Sequence, residues 1–208
     1  RDIARAALKI GAIKLNPTNP FQWASGFRMP IYNDNRMFLS NPEHRHLIVG
    51  AFIDYASVFG DWTVIACTST AGIPWASFIA DRKGTPMIYV RDKPKDHGLR
   101  NQIEGIDAES DLARRKTVLI EDLVSTGGSS VSAVQAIRDA NGECNNCLSV
   151  FNYGFQEAEE MFQGKRAYDK EGKKFLASPC RVNSLLTYDT LLDVAKKTGR
   201  LTEDQIGL

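Results

Sequence analysis

The strongest chemical signal in the chain is the run VLIEDLVSTGGSS, Val118 to Ser130. An apolar stretch ends in two acids, and a loop of small residues follows at once. A loop leading into a helix presents backbone N–H groups that lack intrahelical partners. Gly127 and Gly128 let those groups approach an anion closely, and the helix dipole adds attraction. Ser125, Thr126 and Ser129 add hydroxyl donors. The string is not a Walker loop, because the Lys of G-x-x-x-x-G-K-[ST] is absent, and it does not match G-x-G-x-x-G. Taken alone, TGGS is equally consistent with a plain turn between strand and helix. The acids shift that balance. Side by side at a strand end, Glu121 and Asp122 repel each other and any phosphate. As carboxylates they accept hydrogen bonds, so they want a ligand with donors. A ribose diol supplies two. A ligand with a 5-phosphate for the loop and a 2,3-diol for the acids suits the whole string.

A second concentration of chemistry is RDKPKDHGLRNQIEG and the polar stretch after it, Arg91 to Ser110. Arg91, Lys93, Lys95 and His97 alternate with other residues, which puts cations on one side if the segment is extended. A solvated charged loop is the plainer reading. Unstructured runs this long inside a compact domain are commonly functional lids or disordered segments. Cys144-Asn-Asn-Cys147 has metal or redox spacing, but zinc needs four ligands and no second pair stands at a suitable distance. Residues three apart on a strand also face opposite ways. The four cysteines, Cys67, Cys144, Cys147 and Cys180, are therefore read as reduced, cytoplasmic thiols. His44 and His46, two apart on an expected helix, share no face; both are read as surface residues.

The elements that must hold these groups follow from caps and periodicity. A helix is expected over Ile3 to Ile10, stopped by Gly11. Extended segments follow around Phe21 to Trp23 and Pro30 to Asn33. Asn41-Pro42 is a good helix start, as an N-cap followed by Pro at the first helical position. That helix should run to Phe59 with Gly60 as its stop. Strands are expected at Trp62 to Cys67, Pro86 to Val90, Val118 to Ile120 and Leu148 to Phe151. Helices are expected at Ile73 to Lys83, Ser129 to Ala140 and Tyr188 to Lys197. Strands alternating with helices imply an α/β fold whose parallel sheet carries helices on both faces. In such a sheet, ligands bind beyond the carboxyl ends of the strands, where Glu121 and Asp122 are expected.

Length and charge bound the rest. The 208 residues suit one domain with a small appendage and can bury a core without disulfides or metal. With 26 basic and 25 acidic residues the net charge is +1, which argues against a general nucleic-acid or membrane-surface binder. No membrane-spanning run and no secretory-leader pattern is expected.

The string Val118 to Ser130 resembles the phosphoribosyl-diphosphate signature of type I phosphoribosyltransferases. FQWASGFRMPIYNDNR (Phe21 to Arg36), TSTAGIP (Thr68 to Pro74) and YVRDKPKDHGLRNQIEG (Tyr89 to Gly105) narrow the resemblance to the orotate phosphoribosyltransferases, of the small monofunctional bacterial kind. It extends over nearly the whole chain, to TYDTL at Thr187 to Leu191.

The resemblance implies one phosphoribosyltransferase domain over residues 1–208, with a central, mostly parallel sheet flanked by helices. Residues 1–40 and C-terminal segments contribute to a small hood, and residues 91–110 form a mobile catalytic loop. It implies transfer of the phosphoribosyl group from 5-phosphoribosyl 1-diphosphate to orotate, with magnesium, giving orotidine 5′-monophosphate and pyrophosphate for pyrimidine synthesis. Ser125, Thr126, Gly127, Gly128 and Ser129 match the 5-phosphate loop. Glu121 and Asp122 match the ribose-holding acids, Leu123 and Val124 lie between, and Asp122 also steadies developing positive charge. Thr68, Ser69, Thr70, Ala71 and Gly72 match the loop beside pyrophosphate. Arg91, Lys95 and His97 match its cationic contacts, and Lys95, His97 and Asp122 are the implied catalytic residues. Ile31, Tyr32 and Ser125 match orotate contacts, and Arg36 either meets the orotate carboxylate or braces its own loop. No protein ligand to magnesium is implied, since the ion sits mainly on diphosphate and ribose oxygens. A homodimer is implied, with residues 91–105 reaching the neighbouring site.

Four positions depart from the family's patterns. Ala24 stands where the better-known branch has Lys and Phe155 where it has Arg, while Leu99-Arg100 replaces the Lys-Gly usual in the branch whose WASG form this chain resembles. A sensor of phosphoribosyl diphosphate without catalysis, or a transferase for another base, is the alternative. A sensor calls for a nucleic-acid-binding surface that the balanced charge does not supply, and purine enzymes lack the SGxxxPIYxDxR segment.

Overall fold

Caps and stops decide where the elements begin and end. In the computed structural model, residues 1–23, 26–92, 102–106, 112–164, 176 and 178–206 are described. In chain order the elements are α1 (Asp2–Ile10), β1 (Ile13–Leu15), β2 (Phe21–Gln22), β3 (Arg28–Met29), β4 (Ile31–Asn33), a 3-10 segment (Asn35–Ser40), α2 (Pro42–Phe59), β5 (Val64–Thr68), α3 (Gly72–Lys83), β6 (Met87–Val90), β7 (Ile103–Glu104), β8 (Lys116–Val124), α4 (Gly128–Asp139), β9 (Glu143–Asn152), α5 (Gln156–Phe162), β10 (Arg181–Thr187), α6 (Tyr188–Lys197) and α7 (Glu203–Ile206). The start of α2 is fixed as its sequence dictates: Asn41 Oδ1 accepts from the His44 N–H at 3.1 Å. At α6, Thr187 caps through its side chain, accepting from the Thr190 N–H at 3.3 Å.

The chain divides into two compact units, Arg1–Ile48 with Leu186–Leu208, and Val49–Leu185. In the first, β1 and β4 form an antiparallel pair, as do β2 and β3. Helix α1 buries Ile3, Ala4, Ala6, Ala7 and Leu8, a stripe at helical spacing. His44, expected on the surface, is half-buried and packs edge-on against Phe38 with ring centroids 6.1 Å apart. Spacing from His46 says nothing of Phe38, the aromatic residue six positions earlier that gives His44 a buried partner.

The second unit holds a six-stranded sheet in the order β10-β9-β8-β5-β6-β7. Strands β6, β5, β8 and β9 run parallel, while β7 returns antiparallel on β6. Every residue of β5 is buried, as an apolar run in a parallel sheet covered on both faces should be. From β5 the chain crosses through α3 to β6 on one side, and from β8 through α4 to β9 on the other. Right-handed crossovers leaving in opposite directions put α3 and α4 on opposite faces. On the α4 face, Val64, Ala66 and Leu119 pack with Val131, Val134 and Ile137. On the α3 face, Trp75 and Ile79 are buried. Each such side chain contributes roughly 1.5–3 kcal/mol through burial.

Three differences from the sequence reading matter for the site. Strand β8 continues to Val124, so the two acids lie within the strand and not beyond it. The segment after β6 is not wholly loop: Ile103 and Glu104 pair back onto Val90 and Tyr89. Between β8 and β9 the register slips, with Thr117 opposite Cys144 but Val118 opposite Asn146. That bulge accommodates Asn145 as an extra residue and restores Cys144 and Cys147 to the same face, where both join one core cluster.

Candidate active site

Strands β5 and β8 are adjacent, and their following helices depart to opposite faces. The gap between their carboxyl ends is therefore the topological switch point of the sheet. Pairing of β5 to β8 stops at Cys67 and Ile120, so Glu121 to Val124 overhang beyond β5. Successive strand residues point to opposite faces, and the two acids do so. They are not side by side as their sequence suggested. Glu121 lies on the α4 side, where its Oε2 accepts from Ser130 Oγ at 2.8 Å and its Oε1 from Thr68 Oγ1 at 2.8 Å. Its Oε1 also accepts the Asp122 N–H at 2.9 Å. Asp122 lies on the α3 side, where its Oδ1 accepts from Trp75 Nε1 at 2.9 Å. Both acids are buried, at 6% and 8% exposure.

Burial pushes the Glu121 carboxyl above the usual carboxylate range, while hydrogen bonds from Thr68, Ser130 and the backbone N–H groups of Asp122 and Leu123 pull it back. Cys67, on β5, is pushed up to about 12 by burial and by the charge on Glu121, so it stays a thiol and not a nucleophile.

Two loops flank this carboxylate. Residues 69–71 connect β5 to α3, with the Ser69 N–H donating to Val90 O at 2.9 Å and Thr70 O accepting from the Ile73 N–H at 3.3 Å. The Ser69–Thr70 peptide is cis. Gly72 must be glycine on packing grounds, because a Cβ there would sit 2.9 Å from Ile120 O and 3.2 Å from Thr68 Oγ1. The other loop, Ser125 to Gly127, connects β8 to α4. Gly127 takes the left-handed conformation at φ +86°, and a Cβ would come within 3.3 Å of Ala158. It caps α4 without a side chain. Thr126, Gly128 and Ser129 are exposed, and the space above Gly128 is open. The uncapped helix start thus offers N–H groups and dipole to an anion.

Arg91 is the third contributor at this edge. It follows β6, the parallel neighbour of β5, and its N–H donates to Gln102 O at 2.9 Å while its carbonyl accepts from Gln102 Nε2 at 3.0 Å. Its guanidinium lies 3.6 Å from Glu104. The excursion that begins at Arg91 is therefore stitched closed at its base. Lys93, Lys95, His97, Leu99 and Arg100 lie outside the described residues, as do Ala24 and Ser25.

The residues assigned to orotate from the sequence belong mostly to the first unit. Tyr32 is exposed and lies near Phe21, with ring centroids 6.0 Å apart. Ile31 is buried, and its carbonyl accepts from Trp23 Nε1 at 3.0 Å. Arg36 makes a fork with Asp34, through Nε at 2.7 Å and Nη2 at 3.1 Å. The side-chain bond from Arg36 is the largest cause holding the Asp34 carboxyl below its ordinary range. In this geometry Arg36 braces its own loop.

Sequence reasoning missed Ser130 and Trp75. Ser130 carried a signal, since it stands one turn into a helix after a buried acid. Trp75 carried none, because its partner is 47 positions away.

A mostly parallel sheet with two anion-ready loops at its switch point is the architecture of a phosphoribosyl transferase domain, and residues 42–176 match the model of that domain. The orotate phosphoribosyltransferase of Staphylococcus saprophyticus subsp. saprophyticus is 40% identical over 205 residues, covering 98% of this chain and 93% of that protein. That of Cytophaga hutchinsonii is 40% identical over 207 residues, covering 99% and 91%. Among solved structures, the orotate phosphoribosyltransferase of Aeropyrum pernix shares the fold at a TM-score of 0.74, with 23% identity over 96% of this chain and 99% of that one. The chain belongs to the orotate phosphoribosyltransferase family.

Proposed function

We propose that the protein transfers the phosphoribosyl group of 5-phosphoribosyl 1-diphosphate to orotate, releasing pyrophosphate and forming orotidine 5′-monophosphate. The observation that carries this reading is the buried Glu121, bonded at once to Thr68 and to Ser130. It fixes the loop after β5 and the helix start after β8 beside each other, as a ligand with anionic groups at both ends of a ribose requires.

The N–H groups and hydroxyls of Ser125 to Ser129, with Gly127 and Gly128, take the 5-phosphate. Thr68 to Gly72 face the diphosphate, with Arg91, Lys95 and His97 supplying cations as it leaves. The bond at the anomeric carbon breaks early, so positive charge develops on the ribose, and Asp122 steadies it. Glu121 serves the ribose hydroxyls alongside the donors it already accepts, Thr68 and Ser130 among them. Leu123 and Val124 extend the strand that sets these positions. Ile31, Tyr32, Arg36 and Ser125 read orotate. Arg36 can reach the carboxylate only at the expense of, or in addition to, its fork with Asp34.

Magnesium accompanies the diphosphate. Among the described residues no group of three or more His, Cys, Asp or Glu side chains is arranged to hold a metal ion. The carboxylates at the strand end are committed to Thr68, Ser130 and Trp75. That donor set fits an ion carried mainly by diphosphate and ribose oxygens, whose chemistry is to offset charge on the leaving group. We assign the enzyme to the cytoplasm, and to a homodimer in which residues 91–105 complete the neighbouring site. No described helix is long and apolar enough to cross a membrane.

The test is an assay with phosphoribosyl diphosphate, magnesium and one base at a time. Orotate should be consumed, while uracil, hypoxanthine and adenine are left. Equal turnover of a purine would remove the assignment.

A further inference from the structure

Three of the four cysteines belong to one buried cluster on the side of the sheet that carries α4 and α5. Cys144, Cys147 and Cys180 share a core with Ala158 and Phe162. All are free thiols. The segment that carries Cys180 is held against the start of β9 by one side chain. Arg138 of α4 donates from Nε to Cys144 O at 3.0 Å, from Nη1 to Ser178 O at 2.7 Å and from Nη2 to Pro179 O at 2.9 Å. This clamp holds the segment that carries Cys180 against the backbone of Cys144, and both side chains join the same buried cluster.

Access is uneven. Cys180 lines a cavity of about 740 Å³, whose wall also includes Val124, Phe155, Ala158 and Phe162. Cys144 and Cys147 lie behind it at 0% exposure. Two thiols in one buried cluster, one of them at a cavity wall, form a dithiol that a small oxidant can reach.

We infer that Cys144 and Cys180 are an oxidisable pair, a modification site that closes to a disulfide in the folded protein under a small peroxide, with Cys147 left reduced. The Cys180 sulfur attacks a peroxide oxygen; the O–O bond breaks, and the thiol proton leaves with the displaced hydroxide as water. Cys144 then attacks the sulfenic sulfur. An S–S bond forms, the S–O bond breaks, and a second water leaves with the Cys144 proton. Two thiols lose two electrons and one peroxide gains them. Cys144 is the resolving thiol because the Arg138 guanidinium ties its carbonyl to the segment that carries Cys180, a tie that Cys147 does not share. The nearby Cys180 thiol, and then burial, push the Cys144 thiol well above its ordinary range, so closure is slow near neutrality and quickens as pH rises.

The cavity wall gives the bond a consequence. Ala158 and Phe162 are also the atoms that Gly127 packs against, and the Cys180 N–H donates to Phe162 O at 2.9 Å. A Cys144–Cys180 bond therefore fastens α5, which backs the phosphate loop, to the start of β9.

The test treats the folded, full-length protein with hydrogen peroxide and maps peptides without reduction. The expected result is a loss of two hydrogens, one Cys144–Cys180 crosslink, and a melting temperature raised by roughly 5 °C or more, as for a loop-closing disulfide. Dithiothreitol should reverse both, and Cys180→Ser should abolish both without unfolding the protein. If that variant does not fold, the wild-type map alone decides. All four thiols still free after oxidation, a crosslink through Cys147 or Cys67, or a crosslink formed only in denaturant would overturn the inference.

Discussion

The Ser130 hydroxyl donates to Glu121 Oε2 at 2.8 Å, joining the first turn of α4 to the carboxyl-terminal part of β8. The same carboxylate accepts from Thr68 at the end of β5. One buried acid thus holds the helix start proposed for phosphate and the loop proposed for diphosphate in fixed relation. Removing the Ser130 hydroxyl leaves a buried carboxylate short of a donor, which costs about 1–3 kcal/mol. Ser130→Ala should lower stability to urea by that amount. Its KM for phosphoribosyl diphosphate should rise by a larger factor than its kcat falls, because the loop is displaced while the reacting groups remain. Steady-state kinetics beside equilibrium unfolding checks both.

Stability should also carry the signature of Glu121. Its carboxyl is held above the usual range by burial. An acid whose folded pKa is raised contributes stability that is fully present below its unfolded pKa and is lost as pH rises through the folded value. Glu121→Gln removes that titration. Relative to wild type, the variant should gain stability as pH rises from about 4 toward 8. Parallel urea midpoints across that range would show that Glu121 is not the titrating group.

Arg36 admits a test with two readouts. Its fork on Asp34 depresses the Asp34 carboxyl, so Arg36→Ala should return that carboxyl to the ordinary range, read by carbon-detected NMR titration. If Arg36 also meets orotate, the KM for orotate should rise about tenfold or more, as expected for a lost charge-assisted contact. An unchanged KM with a shifted Asp34 assigns the residue to bracing alone.

The proposed dimer predicts rescue between defective subunits. Lys95→Ala should lower turnover ~10²-fold or more, as loss of a transition-state anion contact does. Asp122→Asn disables the other half of the site. Mixed and reassembled, the two variants should recover about a quarter of wild-type activity, because half the dimers then hold one intact site. No recovery would mean that each subunit uses its own loop.

Much of this arrangement was legible because local chemistry dictates it. Asn41-Pro42 and Gly60 bracket α2 as their capping roles require. The acid pair and the STGG that follows it lie at the switch point because an apolar run, two acids and a glycine turn are all local signals. What escaped had non-local causes. Glu121 and Asp122 are poor strand formers, yet β8 runs through them because β9 pairs alongside as far as Asn152. Cys144 and Cys147 share a face only because of a bulge opposite Thr117 and Val118, which no spacing rule reports. Helix α5 and strand β10 have no clear sequence signal, since NYGFQEAEE and RVNSLLT lack a clean period. The Trp75–Asp122 bond depends on two elements meeting across the sheet.

The central claim is that two loops tied by one buried acid form a single site for a ribose bearing phosphate at one end and diphosphate at the other. The direct measurement is equilibrium binding of phosphoribosyl diphosphate with magnesium, repeated with ribose 5-phosphate and with pyrophosphate as separate competitors. Each fragment should displace the whole substrate, and a loop substitution at Gly128→Asp should abolish ribose 5-phosphate binding while leaving pyrophosphate bound. If either fragment binds without displacing phosphoribosyl diphosphate, the two loops do not form one site.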